Sequence, residues 1–230
     1  MGFSTTSSEN MAALKDALGM MKPGDFILAR NDTIDNWAIG VGSQCPYGHA
    51  ILYMGEVGGK KSCLEMPILL APTSKVLAKD NCLKAMFVHC RRLSDRKREI
   101  IVEFAKAYYD ASRDSLKKGF DIGGFMQGAG SIAIGNTLGS AVGWASEDAE
   151  RVVRNVAEAP NAVVNELIVE FLTKYPALTC AGLVGWCHWQ AKHLIDDSHF
   201  AAPHTTSPRA LWSAVKAEPD RFKALTYNFA

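Results

Sequence analysis

Near Ser94 the hydrophobic pattern of this chain changes its period, and that change limits what the chain can fold into. Before it, apolar-rich runs at 26–30, 49–54, 62–66 and 85–92 are short and separated by Gly, Pro, Asn or Asp, the punctuation of strands in an antiparallel sheet. Two of these runs flank residues 55–61, whose Gly58-Gly59-Lys60-Lys61 has hairpin character and predicts that His49 and Glu65 sit on neighbouring strands. After the break, Ile100, Ile101, Phe104, Ala105 and Tyr108 recur at helical spacing with charges opposite, predicting an amphipathic helix to about Ser112. Strands first and helices later make the expected class α+β.

Smaller signals fill in the ends. Residues 11–21 predict a short helix stopped by Lys22-Pro23-Gly24-Asp25, and 147–175 reads as helical with a break near Pro160. From Cys180 a further helix carries Leu183, Val184, Cys187, Ala191 and Leu194 in one apolar stripe that includes Cys180, so the thiol is expected to face the sheet. Ser207-Pro208 offers an N-cap followed by proline at the first helical position, and 222–229 predicts a returning strand.

Residues 122–146 stand apart, being free of charge, rich in Gly and Ala, and marked by Gly135, Gly139 and Gly143 at four-residue spacing. Such spacing packs membrane helices, but Gln127, Asn136 and the many Ser, Thr and Gly residues hold the segment below the hydrophobicity of a span. It reads as an inserted buried loop or lid near the active site, with membrane contact as the alternative. No repeat or linker divides the chain elsewhere, so 1–230 is read as one domain with insertions at about 122–146 and 147–175.

A net charge of +1 without a block of like charges leaves no nucleic-acid footprint, and Arg96-Lys97-Arg98 and Lys117-Lys118 read as solvated faces. Residues 1–10 lack the basic and apolar regions of a secretory signal, so the chain is expected in the cytoplasm, or exported without a cleaved signal. A chain of 230 residues can bury its own core, and its six cysteines are expected to be reduced. Cys45, Cys63, Cys82, Cys90 and Cys187 read as small buried hydrophobes. Cys180, Cys187, His188 and His193 share one segment, but it has no CxxC knuckle, and adjacent Cys187 and His188 point to different helix faces. No metal and no cofactor is therefore expected.

Cys180 differs from the other thiols because it begins a helix. There the positive end of the macrodipole and the unpaired N–H groups favour a thiolate. His49 on one strand is the candidate base, and Glu65 on the next is the candidate orienter of its ring. Both are expected to project from one face toward the helix of Cys180. His89 and His188 compete for the role of base, but His188 stands more than a helical turn beyond Cys180.

The ordered set Pro23-Gly24-Asp25-Phe26-Ile27-Leu28, Tyr47-Gly48-His49-Ala50-Ile51-Leu52, Leu64-Glu65-Met66, Phe120-Asp121, Thr179-Cys180-Ala181-Gly182-Leu183-Val184 and Ser207-Pro208 resembles the YiiX/YebB-like group. These are circularly permuted relatives of the NlpC-type papain-like cysteine peptidases, and permutation accounts for His49 and Glu65 preceding the nucleophile. The resemblance spans roughly 22–215. It implies a permuted papain-like fold with an antiparallel sheet packed on the nucleophile's helix, and a catalytic set of Cys180, His49 and Glu65. It further implies an oxyanion site from the Cys180 N–H and one more donor, a role or substrate contact open to Tyr47. Ala181-Gly182 stands where the family commonly has Ser-Glu, and Gly48 where it commonly has Ser, which bears on the substrate.

The implied activity is amide hydrolysis through an acyl-enzyme, with a peptidoglycan stem peptide as the substrate. Acyl transfer or (thio)ester hydrolysis on lipid or acylated substrates is the alternative, and a non-catalytic binding module is the second. Trp186, Trp189 and Trp212 are candidates to line a substrate groove. A wall hydrolase without a signal is expected to be an antibacterial effector delivered into another cell's periplasm, with an inhibitory immunity protein as its partner.

Overall fold

Phe26-Ile27-Leu28-Ala29 is apolar at every position, a pattern that fits a strand covered on both faces. The computed structural model describes residues 2–31, 45–66, 69–79, 81–117, 180–191, 193 and 206–229, and in it this run is the buried centre of β1 (Phe26–Asn31). The expected insertions at 122–146 and 147–175 and the Phe120-Asp121 motif lie outside the described residues.

Around β1 the described chain builds one six-stranded sheet with β2 (His49–Val57), β3 (Lys60–Glu65), β4 (Leu69–Pro72), β5 (Cys82–Cys90) and β6 (Phe222–Asn228). Its order is β4-β3-β2-β1-β5-β6, and every neighbouring pair is antiparallel. Five described helices accompany it: α1 (Ser8–Met20), α2 (Thr73–Lys79), α3 (Asp95–Lys117), α4 (Cys180–Gln190) and α5 (Pro208–Ala217). The α+β class expected from the change of period is therefore observed.

Side-chain alternation divides the core in two. Phe26, Leu28, Ala50, Leu52, Leu64 and Val88 pack with α3, α4 and α5 on one face. Ile27, Ala29, Ile51, Tyr53, Cys63 and Phe87 pack with α1 and α2 on the other. Fully burying one such aliphatic or aromatic side chain contributes roughly 1.5–3 kcal/mol, so both layers are needed to hold the central strand.

Local chemistry sets the element ends. Ser7 caps α1, its hydroxyl accepting from Asn10 N at 3.2 Å, so this helix begins before the expected residue 11. Ser207 caps α5 in the same way through Ala210 N, with proline in the first turn as the sequence predicts. Gly58 and Gly59 have φ of 59° and 73°, the positive values that a tight two-residue hairpin turn requires. At Gly55, φ is 81° and a Cβ would lie 2.7 Å from Pro23 Cγ, so glycine lets the 22–25 turn cross the bulge in β2.

Three expectations change. β4 and α2 were not foreseen, since four residues without alternation and a seven-residue helix are too short to display a period. The one-sided stripe expected of α4 is instead burial all round, with nine of its eleven residues buried. Arg98, expected on a solvated face, is 5% exposed. Its guanidinium donates to Asp25 Oδ1 at 2.8 Å, Pro23 O at 2.9 Å and Cys90 O at 2.6 Å. Asp25 also accepts from Lys22 N, Cys90 N and the His89 ring, which ties the start of β1 to the end of β5 and the start of α3. Among the described residues no helix is long and apolar enough to cross a membrane.

Candidate functional site

Hairpin pairing of β2 and β3 brings His49 and Glu65 together, although 16 positions separate them in sequence. His49 Nε2 lies 3.0 Å from Glu65 Oε2, and Lys79 Nζ donates to the other oxygen, Oε1, at 3.2 Å. The carboxylate is buried at 1% exposure, and both its oxygens are engaged by named side chains. Lys79 comes from the unforeseen α2, and no motif or period in the sequence pointed to it.

Register places these groups differently from the expectation. His49 and Glu65 alternate with Ala50, Leu52 and Leu64, the residues that pack with α4, and so belong to the strand positions facing α1 and α2. His49 is the first residue of β2 and Cys180 the first of α4, so the thiol and the imidazole meet where strand and helix both begin. The pair forms at the end of the sheet, not beneath the helix.

The electrostatics of this pair are mutual. Burial raises the pKa of the Cys180 thiol, but the His49 charge, a His49 hydrogen bond and the backbone N–H groups of Ala50 and Ala181 outweigh it and bring it below the ordinary 9.0. Burial lowers the His49 pKa, yet the charge and hydrogen bond of Cys180, followed by those of Glu65, raise it from 6.5 to about 10. Both shifts favour thiolate facing imidazolium over thiol facing neutral imidazole. Cys180 remains partly exposed, whereas the other five cysteines are buried as expected.

Other candidates lie elsewhere. The Tyr47 ring is buried at 1% exposure and its hydroxyl bonds Thr226, while Lys84 Nζ sits 5.7 Å from the ring centroid. The groups acting on the Cys180 thiol are His49, Ala50 and Ala181. His89 Nδ1 bonds Asp25 Oδ2 at 2.8 Å, and His188 bonds His193, so each rival base has another partner. Trp186, expected in a groove, is a core residue packed edge-on against Phe104 at 5.5 Å. Trp212 lies beneath Lys216 Nζ at 4.6 Å.

No family model, curated protein or solved structure matches the chain.

Proposed function

We propose that the chain is a cysteine hydrolase of permuted papain-like fold that cleaves an amide through an acyl-enzyme, its substrate a peptidoglycan stem peptide. One observation carries the reading: a single imidazole that interacts with a helix-starting thiol and bonds a buried carboxylate through Nε2. The ordered motifs around Pro23, His49, Glu65, Cys180 and Ser207 support the family and the substrate class.

In this reading the Cys180 thiolate attacks the amide carbonyl, forming the S–C bond. The first-turn N–H groups of α4, which lack intrahelical acceptors, stabilise the oxyanion. The His49 imidazolium then gives its proton to the leaving amine as the C–N bond breaks. Neutral His49 next takes a proton from water, whose oxygen attacks the thioester carbonyl and releases the acid and the Cys180 thiolate. Glu65 fixes the ring and balances its charge, and Lys79 fixes Glu65.

Two experiments test this. Iodoacetamide alkylation measured against pH should show a thiol midpoint below 9.0 in the wild type and a higher one in His49→Ala, because the charge and hydrogen bond of His49 no longer offset burial. Coincident midpoints would remove His49 from the reading. Purified protein should release peptides from peptidoglycan sacculi, with Cys180→Ala inert. Products from phospholipid vesicles alone would replace the wall substrate with a lipid one.

A further inference from the structure

Beyond that site, the geometry points to a second one: we propose that Cys90, His188 and His193 bind a single thiophilic, closed-shell metal ion, Cu+ or Zn2+. Cys90 ends β5, His188 lies in the last turn of α4, and His193 follows just beyond. The sulfur and one nitrogen of each ring lie within 4.8 Å of one another, and the two Nδ1 atoms are 2.9 Å apart. All three residues are deeply buried, with His193 the most exposed at 5%. An ion bonded at about 2.0–2.1 Å to nitrogen and 2.3 Å to sulfur keeps its donors roughly 3.3–3.8 Å apart, so the trio admits one by parting slightly.

Polar accounting favours an occupant. Two neutral imidazoles joined through their Nδ1 atoms satisfy one N–H and one lone pair, and both Nε2 atoms are buried without a hydrogen-bond partner. Apolar side chains would fill the same volume without that cost. A bound ion takes the lone pairs of both Nδ1 atoms and the sulfur, and the Gly24 backbone lies against the His188 ring as an outer partner. Phe26 packs edge-on to His188 at 5.8 Å and Phe222 to His193 at 6.3 Å, which fixes both rings in an apolar shell.

The incoming ion displaces the Cys90 proton, forming the metal–sulfur bond as H+ leaves. Asp25, Arg98, Arg221 and Lys97 are the charges acting on the trio. Against them Cu+ with one thiolate leaves no net charge and accepts three ligands, whereas Zn2+ leaves one positive charge and calls for a fourth. The sequence hid this site because Cys90 belongs to the strand half of the chain, and only folding brings it to His188 and His193.

The test uses full-length Cys180→Ala protein, which removes the other thiol–imidazole pair. The protein is stripped with chelator, given Zn2+, Co2+ or, without oxygen, Cu+, and then desalted. The expected result is one retained ion and one released proton per chain, with a thiolate-to-cobalt charge-transfer band in the Co2+ arm. Competition between Zn2+ and Cu+ decides the resident ion. His193→Gln, added to that background, should weaken retention at least roughly 10–100-fold, the loss that removing even a supporting partner produces. Cys90→Ser should abolish the cobalt band, and where that variant does not fold, the band and His193→Gln decide. No retained ion, or retention indifferent to His193→Gln, overturns the site.

Discussion

Glu65 has one oxygen on the His49 ring and the other on Lys79, and these two contacts differ in consequence. The His49 contact is buried on both sides, whereas Lys79 is 48% exposed at its side chain and its ion pair is screened by solvent. Lys79→Ala should therefore cost at most about 1 kcal/mol of stability in urea titrations. Glu65→Gln should lower amide turnover on the order of 10²–10⁴-fold, because the ring loses both its orientation and its counter-charge. Equal turnover in Glu65→Gln and wild type would leave His49 without an orienter. Both residues of that contact were legible in the sequence, since a hairpin turn between two apolar runs puts them on neighbouring strands, where side chains also meet diagonally. Lys79 was not, because its helix is seven residues long and its one contact with the site depends on tertiary packing.

Among the elements, the junction of β1, β5 and α3 depends on Asp25 and Arg98. Removing one partner from a buried pair leaves an uncompensated charge, so Asp25→Asn or Arg98→Met should each cost about 3–5 kcal/mol, read from urea midpoints. The double variant should cost clearly less than the two losses combined. At the other end of the chain, Ser207→Ala removes the cap of α5 and should cost about 1 kcal/mol. Element legibility followed the same logic. Ser207-Pro208 and Gly58-Gly59 act locally and so could be read directly. The burial of Arg98 could not, because a run of three basic residues records charge but not the Asp25 that waits 73 positions upstream.

Across the whole molecule, one sheet is shared by two cores. Ile27 and Leu28 are adjacent in β1 yet belong to opposite layers. Ile27→Ala and Leu28→Ala should each cost about 2–5 kcal/mol. Tryptophan fluorescence, to which Trp186, Trp189 and Trp212 of the α4 layer contribute, and far-ultraviolet circular dichroism of the entire backbone should give coincident urea transitions in both variants. Separated transitions would mean that the layers melt independently. The α+β class was readable at this scale because it rests on periods summed over long stretches. The order β4-β3-β2-β1-β5-β6 was not, because pairing β5 with the last strand is a long-range choice that no local pattern encodes.

That last pairing has a consequence for synthesis. The ribosome makes chains from the N-terminus at about 5–20 residues per second, so β5 emerges well before its outer neighbour β6. For about 7–26 s the nascent sheet presents an open edge carrying Phe87 and Val88, the kind of edge that recruits other strands. The same interval separates His49 from Cys180, so the nascent chain has no thiol–imidazole pair until α4 emerges. A chain truncated before β6 should partition into aggregates during expression, while the full-length chain should not.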